Sequence, residues 1–335
     1  MSYKLLVLNT ETNTLYDYAP VTESVTYTTN RNGSAGTLTF TLLKNQSLNL
    51  TEGARVQFYV DGKGIFHGFI FVIEQNRWGE ISVTAYDQLR YLKCNASYSF
   101  IKKTLGEIIQ QIATDMELKT GVLEDTGHSF DKLTKENTSC LDIIEYGLML
   151  TQYKTGKTFV FYDDFGKLNL KESQNMKSDI LIGDGSILTD YTYKSDIDTD
   201  TYNQVKLVKS NKDTGQIDNY IFKDQTTIKK WGVLQNFVKV DENLNEAQIS
   251  EQGNIMMAYY NRVLKTITIN GVGGAPDLKA GAMAYFKLKD VPELKNRYLL
   301  ILDKVKHTFS AGEHTMNLEA RIVDKDKEVY LHGIN

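Results

Sequence analysis

"VQFYVDGKGIFHGF", residues 56–69, sets Gly62, Gly64 and Gly68 along one short stretch, and its reading decides the fold. As a phosphate-holding loop it would open a nucleotide-using enzyme; as a tight turn between two strands it belongs to a scaffold. The spacing G-x-G-x-x-x-G is one residue too long for the dinucleotide fingerprint. No helix follows whose N-terminus would hold a pyrophosphate, since "FIFVIE" reads as strand. Asp61 to Gly64 therefore read as a hairpin turn, and Gly68 as a bulge or a close backbone approach in the returning strand.

Composition bounds the rest. A chain of 335 residues exceeds one ordinary core, so two or three domains are expected. With 41% hydrophobic and 24% charged residues it should fold throughout. A formal charge of -4 argues against a chain built to grip nucleic acid, which needs a basic surface. Cys94 and Cys140 are too few for a disulfide framework and fit no zinc spacing, so both are expected as buried thiols in a reducing compartment. "MSYKLLVLNTET" falls short of a signal-peptide core, so no secretion by signal peptide is expected. The longest greasy stretch, "IFHGFIFVIE", is interrupted by His67 and Gly68, so a soluble chain with no membrane partner is expected.

Outward from the glycines, the first ninety residues alternate as strands: Leu38, Phe40 and Leu42 against Thr37, Thr39 and Thr41, then Val56, Phe58 and Val60, then Ile81, Val83 and Ala85. From about residue 94 the period changes. Thr104 and Glu107 form a capping box ahead of Leu105, Ile108, Ile109, Ile112 and Met116, with Gly121 as the stop. A second helix starting at Thr138 or Ser139 turns Leu141, Ile144 and Leu148 inward, and "TFVFYDDFGKLNLK" reads as a hairpin turning at Asp163 to Gly166. The last third opens with a hairpin turning at Lys212 to Gly215. One helix over 244–263 then puts Ile249, Met256, Tyr260 and Val263 on one side, despite Gly253. Strands follow, in which Met316, Leu318, Ala320 and Ile322 alternate against Thr315, Asn317, Glu319 and Arg321. The fold class is α+β, mainly β: two tube-like antiparallel β-barrel or sandwich domains, 1–93 and 186–335, flanking a small mixed domain, 94–185.

The opening stretch also has a counterpart. "LTEGARVQF" at 50–58 and "LKAGAMAYF" at 278–286 match Leu50 with Leu278, Gly53 with Gly281, Ala54 with Ala282 and Phe58 with Phe286. Each starts a strand and ends in a hairpin with an alternating return arm, so the β domain is read as an internal duplication.

Other chemistry-like motifs fare poorly. "TGKT", Thr155 to Thr158, lacks the first Walker glycine and lies in helix–loop–strand order, and "GVGGAP" at 271–276 reads as a flexible loop. Asp196, Asp198 and Asp200 imitate half a calcium loop, but Thr201 stands where glycine is needed and Leu207 where glutamate is; alternation puts the three aspartates on one solvated strand face. His307 and His314 flank the last hairpin as surface histidines without a third ligand. Asp163 and Asp164 are turn aspartates, and no G-x-S-x-G elbow is present. No catalytic, cofactor or metal site is expected.

"GIFHGFIF", "GEISVTAYDQLRYLKCN", "TLGEIIQQIATDM" and "FYDDFGKLNLK" resemble the hub proteins of PBSX-type contractile phage tails, found in myophages, defective prophages and tail-like bacteriocins. The similarity spans nearly the whole chain, and "AYDQLRYL", Ala85 to Leu92, is its most distinctive segment. The resemblance implies a non-enzymatic baseplate hub, a homotrimer whose paired tube-like domains match a sixfold tail tube to a trimeric spike. Its implied partners are the tube protein, the spike, other baseplate proteins, and tape-measure protein or DNA in the lumen. Its implied place is the tail baseplate of a virion or tail-like particle, assembled in the host cytoplasm. The rival readings are a tail-associated cell-wall hydrolase and a carbohydrate- or receptor-binding tail module.

Overall fold

The computed structural model describes residues 1–9, 12–43, 50–184, 188, 190–210, 215–240, 242, 244–310 and 312–322. Its contacts divide the chain into two compact units, one of Met1–Thr192 with Ile267–Arg321, the other of Tyr193–Thr266.

The first unit begins with seven strands: β1 (Tyr3–Asn9), β2 (Thr14–Asp17), β3 (Thr22–Asn30), β4 (Thr37–Leu43), β5 (Arg55–Val60), β6 (Lys63–Gln75) and β7 (Glu80–Tyr86). Leu38, Phe40, Leu42, Val56, Phe58, Val60, Val83 and Ala85 are buried together, as alternation requires. Each large side chain removed from water here contributes roughly 1.5–3 kcal/mol.

The quoted stretch is the β5–β6 hairpin. Val60 pairs with Lys63, so the turn is only Asp61 and Gly62, both at positive φ (46° and 80°). Such a two-residue turn twists with its strands and explains the Asp-Gly pair. The bulge lies between Phe58 and Tyr59 on one strand and Gly64 and Phe66 on the other, earlier than Gly68. Gly68 is instead a close approach: a Cβ there would sit 2.5 Å from the Phe66 ring and run into the Tyr86 carbonyl.

Next come β8 (Asn95–Thr104), α1 (Leu105–Asp115), β9 (Thr120–Leu123), β10 (Ser129–Ser139), α2 (Cys140–Thr155), β11 (Phe159–Asp163), β12 (Leu168–Glu172) and β13 (Lys177–Gly183). The Thr104–Glu107 capping box forms, and Ser139 caps α2. The α1 stop differs from expectation. The helix ends at Met116, with Glu117 at φ 54°, while Gly121 lies inside β9. Leu118 donates its N–H to Ala113 O (2.8 Å), which closes the helix without a glycine. The two helices pack over a core that also takes Phe100, Phe130, Phe159, Phe161, Leu168 and Leu170. The β8–β10 ribbon and β9 were absent from the sequence expectation of two helices and one hairpin.

The second unit holds β15 (Gln204–Ser210), β16 (Ile217–Lys223), α3 (Gln225–Trp231), β17 (Gln235–Lys239) and α4 (Glu246–Tyr260), following β14 (Asp190–Asp196). The β15–β16 hairpin is present, but its expected turn at Lys212 to Gly215 lies mostly outside the described residues. α4 presents Ile249 and Met256 to Val205 and Leu207, while Val263 lies past the helix end. Gly253 is there because the Phe222 ring occupies the space a Cβ would need. α3 and β17 make the one-helix expectation an undercount.

β18 (Leu264–Val272), β19 (Met283–Lys287), β20 (Tyr298–Ser310) and β21 (Glu313–Ile322) complete the chain. Met316, Leu318, Ala320 and Ile322 are buried and their alternates are not. The main sheet runs β14-β18-β21-β20-β3-β4-β7-β6-β5-β1-β2, with β19 on β20 and β13 on β19.

Candidate functional site

The feature with most structural content is the pair of matched stretches. Gly53 N donates to Ile70 O (2.7 Å), Ile70 N to Ala54 O (2.9 Å), and Ala54 N to Thr51 O (3.2 Å). Gly281 N donates to Leu302 O (2.7 Å), Leu302 N to Ala282 O (2.9 Å), and Ala282 N to Lys279 O (3.2 Å). Both glycines have positive φ, 78° and 89°, which a side chain would resist. Phe58 and Phe286 are fully buried, Ala54 and Ala282 buried, Leu278 buried and Leu50 partly so. The strands beyond keep the same register. Phe58 pairs with Phe66 and Val56 with Gly68 in one hairpin; Phe286 pairs with Tyr298 and Ala284 with Leu300 in the other. Even the next bulge recurs, between Ile70 and Val72 on β6 and between Leu302 and Lys304 on β20. The copies differ at one flank, where β1 runs antiparallel to β5 but β13 runs parallel to β19.

A buried polar joint ties these β regions to the helical region within the first unit. Asp87 opens the turn Gln88–Lys93 of the "AYDQLRYL" segment. One carboxylate oxygen accepts from Leu89 N (3.0 Å), the other from Gly36 N (2.8 Å). Gln88 Nε2 donates to Asp163 Oδ2 (2.9 Å), and Gln88 Oε1 accepts from Lys119 N (3.2 Å). Asp163 Oδ1 accepts from Gly166 N (2.8 Å), while Lys279 Nζ reaches Asp163 O (3.1 Å) and Asp164 Oδ1 (2.9 Å). Burial, with the Asp163 charge added, pushes the Asp87 carboxyl well above its ordinary range. Burial likewise pushes Asp163 up to about 6. Raised carboxyls are a mark of catalytic acids, yet the cavity beside them, lined by Tyr27, Thr29, Asp87, Asp163 and Lys279, measures about 20 Å³. That is room for one water and no substrate. Backbone N–H groups and Gln88 occupy the carboxylates, so the cluster is a structural joint. Sequence reasoning missed Asp87, Gln88 and Lys279; the only signal was two polar residues inside an otherwise apolar, distinctive segment.

A second anchor lies where β3 joins β20. Arg31 N donates to Asp303 O (2.9 Å) and Arg31 Nε to Asp303 Oδ1 (2.7 Å), with Arg321 Nε 3.3 Å from Oδ2. Burial alone would raise Asp303; the two guanidiniums override it and hold the carboxyl below its ordinary value.

Several sequence candidates take different positions. His307 is not a surface residue: it is fully buried, its Nδ1 3.0 Å from His314 Nε2 and its Nε2 2.7 Å from Leu278 O. Burial depresses it to about 4. It sits on the inward face of β20 with Val305 and Phe309, an alternation the polar flanks concealed. Cys94 is exposed, its Sγ 3.5 Å from Met116 Sδ, and only Cys140 is buried. Cys94 precedes β8 at the open end of the ribbon, where no layer covers it. The three aspartates do not share a strand face. β14 stops at Asp196, whose carboxylate accepts from the N–H groups of Asp198 (3.1 Å) and Thr199 (2.9 Å), and Asp200 turns at φ 49°. Gly156 of "TGKT" ends α2 at φ 71° before β11, and Gly271 and Gly274 of "GVGGAP" both have positive φ.

Two hairpin-centred sheets with matching register and bulges, plus a small helical region, make a phage tail-protein fold. The tail protein of Neisseria meningitidis MC58 shares it at a TM-score of 0.70, covering 99% of this chain and 100% of that one at 14% identity. The chain belongs to the YQBQ-like family, whose model matches residues 25–321. It is similar to the Bacillus subtilis (strain 168) protein YqbQ, 31% identical over 317 residues, covering 91% of this chain and 93% of the relative. It is also similar to the phage-like element PBSX protein XkdQ of the same organism, 28% identical, again over 91% and 93% of the two chains.

Proposed function

We propose that this chain is the baseplate hub of a contractile phage tail or tail-like particle, a homotrimeric adaptor between a sixfold tail tube and a threefold spike. The observation that carries the proposal is the recurrence of one hydrogen-bond pattern and register at Gly53–Phe66 and Gly281–Tyr298. It supports reading Leu50, Gly53, Ala54 and Phe58 with Leu278, Gly281, Ala282 and Phe286 as two copies of one β domain. Two similar domains in each of three chains make a ring that is sixfold in its repeats and threefold in its chains. One side of such a ring suits a tube, the other a spike. Its lumen would pass the tape-measure protein and, in a true phage, DNA, and the chain would sit at the tail tip after assembly in the host cytoplasm. Its role is binding, not hydrolysis. The test is co-purification of the full chain with tube and spike subunits, alongside incubation with purified cell wall. Retention of both subunits and no released muropeptides is the expected outcome. Wall hydrolysis, or glycan binding with neither subunit retained, would overturn the proposal.

A further inference from the structure

The chain contains one finished junction between its two β regions and one unfinished counterpart. In the finished one, β3 lies along the second half of β20, with Lys304 opposite Asn30 and Ser310 opposite Ser24. The first half of β20 is taken by β19, through Tyr298 to Ile301. By the matched hydrogen bonds and bulges, Leu302 of β20 corresponds to Ile70 of β6, so the second half of β20 corresponds to β6 from Phe71 onward. On β6 the pairing with β5 stops at Phe69. Among the described residues no strand lies on that edge of Phe71–Gln75. The exposed side chains there include Val72 (39% accessible) and, at the hairpin tip, Trp78 (75%). An open backbone edge flanked by apolar side chains is a template for strand addition.

The strand that fits follows from the sheet order. One copy reads β3-β4-β7-β6-β5, the other β14-β18-β21-β20-β19. β14 therefore holds the place of β3. It ends the sheet, with exposed residues all along its length. Within one chain β3 of the first copy already occupies β20 of the second, so β14 has no equivalent left to join in its own ring order. We propose that β14 of one chain adds to the open half of β6 in the neighbouring chain, repeating between chains the β3–β20 junction found within the chain. Three such additions close three chains into a ring of six junctions, three internal and three between subunits. Glu74 on β6 and Lys194 on β14 are of opposite sign, as the two sides of a cross-strand contact require. The two junctions differ in one respect. The bulge residue Asp303, locked by Arg31, corresponds to Phe71, which packs against Tyr86 and Tyr91 at ring distances of 5.4 Å and 5.7 Å. The subunit junction is thus aromatic where the internal one is ionic.

This inference rests on the trimeric hub reading, and the experiment separates their failures. Amide exchange of the full chain is followed at rising concentration and in purified particles, with p-benzoylphenylalanine placed at Val72 in a second preparation. In the trimer, amides in 71–75 and 190–196 should slow by roughly tenfold or more. The photoproduct should join residue 72 to a peptide within 190–196 of another chain, identified by mixing isotope-labelled and unlabelled protein. A trimer with neither slowing nor that cross-link would overturn the strand addition and leave the hub reading standing. A chain that is monomeric in the particle would overturn both.

Discussion

Gly53 and Gly281 occupy corresponding turns, so the same substitution in each separates backbone strain from packing. At Gly53 a Cβ would meet nothing within 4 Å, and only the positive φ of 78° opposes it. Gly53→Ala should therefore cost about 1–2 kcal/mol, the strain of a left-handed alanine. At Gly281 the φ of 89° imposes the same strain, but a Cβ would also stand 2.8 Å from Val160 Cγ2 and 3.0 Å from its Cβ. Both methyls of Val160 face the site, so rotating that side chain gives no relief. Overpacking of this kind adds roughly 1–3 kcal/mol, for a total of about 2–5 kcal/mol. Urea denaturation followed by far-ultraviolet circular dichroism measures the two costs at constant m-value. Trimming the obstacle supplies the check: Gly281→Ala combined with Val160→Ala should lose less than the sum of the single losses. Equal costs at the two glycines, or strict additivity in the double variant, would refute the packing argument.

Other outcomes follow from the same geometry. Gly68→Ala forces a Cβ into the Tyr86 carbonyl, and since that obstacle is backbone, the variant should unfold or accumulate as insoluble protein on expression. Gly253→Ala gains up to about 1 kcal/mol of helix propensity, yet it drives a Cβ into the Phe222 ring. Its thermal midpoint should fall, and Phe222→Leu in the same chain should restore part of it. Asp163 titrates at about 6 in the fold and near 3.9 unfolded. Between those values the folded chain holds a proton that the unfolded chain has lost, so this group's contribution to stability falls as pH rises from about 4 to 6. Asp163→Asn should flatten that slope in denaturation profiles, and an unchanged slope would exclude the joint as its source.

The parts legible in sequence were those with a clear period. β4, β5, β7 and β21 each bury alternate residues, and α1 carries its own capping box. β8 and β10 were missed because they pack on little. Phe100 is the one buried residue of β8, and only Phe130 and Leu133 are buried in β10. The β3–β20 junction joins residues 272 apart in sequence, as Arg31 and Asp303 show, and local periodicity carries no trace of such pairing. The repeat was readable at four positions of nine because those four have one task each: a buried leucine, a left-handed glycine, a small buried residue and a core phenylalanine. The polar joint was hidden. Asp87 and Asp163 lie 76 positions apart and come together only through Gln88.

The most direct test of the adaptor account is a reconstruction of this chain within a purified tail particle. The account predicts a closed ring of three chains displaying six similar β lobes, stacked between tube and spike. A ring of six chains, or single chains on the periphery of the baseplate, would contradict it.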